Sequence, residues 1–261
     1  MYRTLLVFLV LLLEVTAFSA NATDLYGKVS ISGKFIESLM KNSNSSDTVT
    51  LRGYWNEPNG VLPIAPPSIK ISSDFGVVLF RDGADKPKAD SVQSVNVLTG
   101  KLEKNVIVIR PESRIKFIMR SPFDHELYSP AKHDFKPQLQ GNNSFRPVDF
   151  YTPGIFEVKD KLIPHFLGWV VVTPATYVLK VDNSGTFKFD GAEPGDYKIK
   201  VFYKGKWIYE KAFTVDGRKR ELNITLNSAV SDISKKGNAS SDKEVKDSED
   251  TKKPAKKEKK K

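Results

Sequence analysis

The three histidines of this 261-residue chain, His125, His133 and His165, fall within 41 positions of one another, and Asp160 lies among them. Imidazole nitrogen together with carboxylate oxygen is a donor set that suits copper(II) or zinc. The chain contains no cysteine, so it cannot supply the soft thiolate that tunes a copper couple for electron transfer, and a hard carboxylate favours the oxidised ion. His125, Asp160 and His165 are the candidate metal ligands. The plainer reading rests on their neighbours: His125 stands between Asp124 and Glu126, and His133 lies in a polar stretch, as surface histidines in charged turns do. There is no H-E-x-x-H pair, no G-x-S-x-G elbow and no glycine loop of the kind that cradles phosphate. Glu157 and Asp160 are three apart, which on a strand turns them to opposite faces and removes an acid/base pair. No enzymatic activity is expected.

The elements that must position these side chains are strands. Val106 to Ile109 is a β-branched run, Arg114 to Met119 alternates, and Leu25 to Phe35 alternates as a half-buried edge strand does. Gly76 to Gly83 reads as a strand closed by an Asp-Gly turn, and Ser91 to Val97 as another strand. Pro58 to Pro67 holds four prolines and reads as an inserted loop. No long helix with an apolar stripe is expected. After Val172, Asp182 to Gly185 forms a tight turn, Phe187 and Phe189 share one face of a strand, and Pro194-Gly195 turns the chain into Tyr197, Ile199 and Val201.

The order from Asn105 through the lone His125 to Tyr151-Thr-Pro-Gly-Ile-Phe-Glu-Val-Lys-Asp160-Lys-Leu-Ile163-Pro-His165-Phe166 resembles the cupredoxin-like family of the methylamine-utilisation and plastocyanin-like type. Aligned on Pro153-Gly154, the resemblance places the family's cysteine ligand at Asp160, its second histidine at Ile163 and its methionine at Phe166, and leaves His125 alone where a ligand is expected. The segment after Val172, with its D-x-x-G-x-F-x-F and P-G-x-Y-x-x-x-V spacing, is similar to the transthyretin-like or carboxypeptidase-regulatory-like module, a structural and adhesive unit. The fold implied is all-β: a Greek-key cupredoxin-like sandwich with an appended small β module. The expected division is 1–22, 23–172, 173–227 and 228–261, with Gly154 expected to need a left-handed backbone.

The ends of the chain carry the information on compartment. Met1 to Ala22 has a cationic Arg3, an apolar run from Leu5 to Leu13 and small residues before Thr23, the layout of a secretory signal. The run is shorter than the roughly 20 residues that span a bilayer. A secreted or periplasmic location follows as the expectation. The formal net charge is +10, and Lys235 to Lys261 holds eleven lysines against six acids with one valine and no aromatic residue. Such a tail is expected to be disordered, and is either a solvated, solubilising end or a contact for an anionic surface or an acidic partner. No aromatic residues interleave with its lysines, so nucleic acid is not an expected partner. Tyr54-Trp55 and Trp207-Ile-Tyr209 are either core residues or anchors for a partner. The function these features imply is a non-enzymatic binding or structural protein of the cell envelope on a metal-free scaffold, with peripheral membrane contact; the alternative is a copper or zinc carrier using His125, Asp160 and His165.

Overall fold

The computed structural model describes residues 23–43, 68–85, 87–216, 218 and 220–228. The expected signal at 1–22, the paired Tyr54-Trp55 and the lysine-rich tail lie outside the described residues. The described residues are all-β, as expected, with two short helical segments among them. Its elements in order are β1 (Thr23–Ile31), α1 (Gly33–Ser43), α2 (Ile71–Asp74), β2 (Phe75–Arg81), β3 (Gln93–Leu98), β4 (Lys101–Leu102), β5 (Val106–Ile109) and β6 (Ser113–Met119). There follow β7 (Leu127–Tyr128), β8 (Phe145–Phe150), β9 (Gly154–Asp160), β10 (Leu167–Val172), β11 (Tyr177–Leu179), β12 (Thr186–Ala192), β13 (Gly195–Tyr203), β14 (Lys206–Val215) and β15 (Arg220–Leu226). No helix among the described residues is long and apolar enough to cross a membrane.

Four sheets make two sandwiches. In one, the sheet β12-β1-β15 faces the sheet β11-β2-β13-β14 over a core that includes Leu25, Val29, Leu79, Phe187, Tyr197, Ile199, Val201 and Ile224. In the other, β4-β3-β6-β8 faces β5-β10-β9-β7 over Val97, Ile115, Phe117, Phe150, Val158 and Val170. Strand pairing therefore crosses the boundary expected between residues 172 and 173. β1 and β2 belong with β11 to β15, and the sandwich of β3 to β10 is carried between β2 and β11. These two strands pair directly, Tyr177 against Leu79, so the inserted sandwich leaves and returns at neighbouring points of its host. A third apolar cluster, with Val78, Val106, Val108, Val171 and Phe202 at its centre, joins the sandwiches face to face.

β1 alternates as expected but is not an edge. It runs antiparallel to β12 and parallel to β15, because both of its backbone sides find partners far along the chain. α1 cuts short the strand expected from Leu25 to Phe35, beginning at Gly33: Phe35 is fully buried and Leu39 packs beside it against the first core, an i, i+4 pair that one turn of helix brings to one face. Gly154 opens β9 and is not among the residues with a left-handed backbone. The left-handed glycines sit where turns need them, as at Gly83 and Gly185. Asp182 closes the second of these turns: its Oδ1 accepts the Ser184 and Thr186 N–H groups at 2.9 and 2.8 Å. The Ser184 hydroxyl and these N–H groups hold its carboxyl below the usual range. Tyr197 and Tyr203 are buried in the first core, and burial pushes both hydroxyls up to about 12. Trp207 packs inward, its ring centroid 5.3 Å from that of Phe202.

Gly27 lies where β1 and β15 come closest, and a Cβ placed there would stand 2.0 Å from the Leu222 carbonyl oxygen. Neither backbone can yield without breaking the ladder, so Gly27→Ala is expected to destabilise the fold by about 1–3 kcal/mol. Gly33→Ala, at the start of α1 with nothing within 4 Å of its new methyl, is expected to be neutral or mildly stabilising. Urea melts of the two variants against the parent chain check the contrast.

Candidate functional site

His125 is placed by its backbone. Its N–H donates to the Gln140 carbonyl at 3.0 Å and its carbonyl accepts from Gln140 N–H at 2.8 Å, one isolated antiparallel bridge just before β7. Asp160 is the last residue of β9, and the register of β7 on β9 sets Leu127 opposite it. Two residues upstream of that pair, the imidazole comes within reach of the carboxylate. His125 Nδ1 lies 2.6 Å from Asp160 Oδ2, with both side chains withdrawn from solvent.

The carboxylate is fully engaged. Its Oδ1 accepts the Glu126 N–H at 3.1 Å and the Leu162 N–H at 2.8 Å, so one side chain fastens the loop before β7 to the loop after β9. A carboxylate accepts only, so in that form of Asp160 it is Nδ1–H that donates within the pair. The other ring nitrogen, Nε2, is buried and has no hydrogen-bond partner among the described residues. The Phe166 ring packs near it with centroids 6.1 Å apart, itself buried.

The remaining expected ligands are elsewhere. His165 is exposed, and its Nε2 leans over the β3–β4 turn, 3.1 Å from where a Cβ on Gly100 would be. His133 is exposed in the loop after β7. Ile163 packs against the core of the inserted sandwich. Among the described residues no group of three His, Cys, Asp or Glu side chains is placed to hold a metal ion. Of the proposed triad the structure joins His125 and Asp160 and leaves His165 at the surface. The residues present do not fit a cupredoxin-type copper ion: His125 Nδ1 is taken up by its hydrogen bond to Asp160, and the apolar Ile163 and Phe166 stand at the other two positions.

Sequence reading missed Arg146. It shares the inward face of β8 with Val148 and Phe150, and its guanidinium donates to the carbonyls of Leu127 and Lys136 at 2.6 Å each while lying 4.6 Å from the Phe135 ring centroid. Burial pushes its pKa below the ordinary arginine value. This cation pins the loop from Ser129 to Gln140 that supplies the backbone partner of His125. The signal was a charged residue in phase with buried positions on an alternating strand, a pattern visible only once the inward face is known.

No known family model matches the sequence, and no curated protein matches it. Solved structures similar to part of the chain include amicyanin from Paracoccus versutus, at 12% identity and a TM-score of 0.29, covering 36% of this chain and 97% of that one. A purple cupredoxin from Nitrosopumilus maritimus is similar at 12% identity and a TM-score of 0.29, covering 31% of this chain and 99% of that one. The reduced state of an amicyanin mutant matches at 13% identity with the same score, over 37% of this chain and 99% of that chain.

Asp160→Asn separates the pair from the two backbone bonds. The amide oxygen keeps Glu126 N–H and Leu162 N–H, but the amide nitrogen now faces Nδ1, which must become an acceptor. The ring proton then moves to Nε2, where it is buried without a partner, at an expected cost of about 1–3 kcal/mol. Asp160→Ala also frees the two N–H groups and is expected to cost about 3–5 kcal/mol. Chemical denaturation of both variants measures the difference.

Proposed function

We propose that the chain is a non-enzymatic, secreted or periplasmic binding or structural protein of the cell envelope, built on a cupredoxin-like scaffold that works without metal. The observation that carries this reading is the His125–Asp160 pair. It turns the two side chains best placed for chemistry towards each other, inside a closed core, with the carboxylate satisfied by backbone. A group held in this way is a fastening between loops and has no open face for a substrate. The second sandwich, in this reading, serves as a transthyretin-like structural unit, and the lysine-rich tail supplies contact with an anionic surface.

A copper or zinc carrier is the second reading, and one feature favours it: His125 Nε2 is a buried nitrogen lone pair with no partner among the described residues. Binding there would need His165 or another donor to move inward past Phe166. Calorimetric titration of the full chain with copper(II) and zinc(II), with His125→Ala as control, decides between the two. The expected result is no submicromolar one-to-one binding. Submicromolar binding that disappears in His125→Ala overturns the metal-free scaffold.

The tail is tested separately by co-sedimentation with anionic phospholipid vesicles, comparing the full chain with one that ends at Asn227. Retention is expected to depend on the tail and to fall as salt rises from about 0.01 M to about 1 M, where the screening length shrinks from roughly 30 Å to roughly 3 Å. Equal retention of the two chains removes the tail from the proposal.

A further inference from the structure

β5 has the composition of a central strand and the position of an edge. All four of its residues are β-branched and buried. Ile107 and Ile109 point into the core of the inserted sandwich, while Val106 and Val108 point into the cluster that joins the two sandwiches. Yet among the described residues only β10 pairs with β5. Trp169 N–H donates to Asn105 O at 2.7 Å and Thr173 N–H to Ile109 O at 3.0 Å. Residues 105, 107 and 109 therefore direct their carbonyls at β10, and by alternation residues 106, 108 and 110 direct their peptide groups the other way. The free side is capped at its far end, where Asp90 Oδ2 accepts Arg110 N–H at 2.8 Å. Ahead of that cap the peptide groups of Val106 and Val108 have no strand partner among the described residues.

A groove of about 470 Å³ runs along this free side, walled by β5, by the segment from Asp90 to Ser94 and by β11. Its floor is ready for another strand. β5 lies across the outer face of β2 and covers Val78. Val178 of β11 is the register partner of Val78, stands on the same outer face and is only half covered. A strand added beside β5 would cover Val178 as β5 covers Val78. Two lysines on the groove, Lys104 and Lys180, are exposed and form no ion pair among the described residues, whereas the groove's carboxylate, Asp90, is held by Arg110 at 2.8 Å.

We infer that this groove receives an extended segment of a partner protein, apolar at alternate positions and carrying carboxylates between them, which adds to β5 as a further strand. Backbone pairing supplies the affinity, Val178 takes an apolar side chain, and Lys104 and Lys180 select acidic ones. At about 3.3 Å per residue the four residues of β5 offer roughly 13 Å, enough to pair with about four residues in the middle of an added segment. The inference deepens the binding reading above, and rests on it, by naming the site and the class of partner.

The test uses the full chain and a fluorescein-tagged seven-residue peptide of alternating valine and glutamate, with the valine and lysine counterpart as control. The acidic peptide is expected to bind at least about tenfold more tightly than the basic one, and K104E/K180E to reverse that preference. Amide hydrogen exchange at Val106 and Val108 is expected to slow when the acidic peptide is added. Val108→Pro, which removes a groove-facing N–H and leaves the β10-facing groups in place, is expected to abolish binding. Both altered lysines are exposed, so the charge variant stays informative if the proline variant fails to fold. Absent binding, binding indifferent to charge reversal, or Val106 and Val108 amides already protected in the free chain would each overturn the inference. If the chain still holds anionic vesicles while the acidic peptide fails, the binding reading stands and the strand-addition site falls.

Discussion

The contact of Val106 and Val108 with the outer face of β2 and β13 is the constraint on which the architecture turns. Two sandwiches that shared only connecting loops would move independently, since small polar interfaces leave domains free. Here the joining face is apolar on both sides, with Val78 and Phe202 from one sandwich and Val106, Val108 and Val171 from the other. The close approach also fixes a residue type. A Cβ on Gly76 would stand 2.5 Å from a methyl of Val108, so β2 needs a glycine at that point to let β5 settle on it. Because β2 and β11 pair directly, the strands that flank the insert lie side by side in the host sheet. The insert buries the second face of its own edge strand against that sheet.

The buried His125–Asp160 pair has a different logic. Removing two polar groups from water is costly, and the cost is offset only when every strong acceptor and donor is matched. Asp160 is matched three times over, by one imidazole and two backbone N–H groups, and these bonds reach both loops at one end of the inserted sandwich. His125 is matched once through its ring and twice through its backbone. The loop that holds Gln140 opposite it is in turn pinned by the Arg146 guanidinium, which donates to two carbonyls. Three buried side chains, two of them, Asp160 and Arg146, bonded mostly to backbone and the third, His125, bonded to Asp160, therefore organise a stretch with little regular structure of its own. A centre of this kind fixes loop geometry at the expense of chemical freedom.

Much of this was legible in the residues, and the failures share a cause. Strands show in the local alternation of Ile115, Phe117 and Met119, and turns in Asp82-Gly83 and Asp182 to Gly185, because these signals are complete within a few residues. The proximity of His125 and Asp160 follows from the order of strands around them, but that they bond to each other rather than to a shared ion depends on angstrom-scale placement that no spacing encodes. His165 lies two residues beyond Ile163, and its exposed side chain leans towards Gly100 in the β3–β4 turn. β1 carries the alternation of a half-buried strand whether it is central or peripheral; only its parallel pairing with residues 220–226, near the other end of the described chain, distinguishes the two. The same long-range pairing moves β2 out of the sandwich that follows it in sequence. Composition changes at Val172, as expected of a module boundary, yet hydrogen bonds ignore it.

β5 shows where local and global demands disagree. A run of valine and isoleucine buried on both faces is the composition of an interior strand, and natural sheets protect their edges with charge, proline or bulges. Neither Val106 nor Val108 offers such protection. Asp90 guards only the last N–H of the edge, and it does so with a side chain already committed to Arg110. Sequences that fold well keep their levels consistent, and the places where they do not are the places where something other than folding is served. The apolar face of the edge is required by the joining core, so charge cannot be introduced there without separating the sandwiches. The protection that remains is recess: the edge lines a groove of about 470 Å³ between the segment from Asp90 to Ser94 and β11. A recessed edge is less open to sheet-to-sheet association than a bare one, and on the inference drawn above it still admits one added strand.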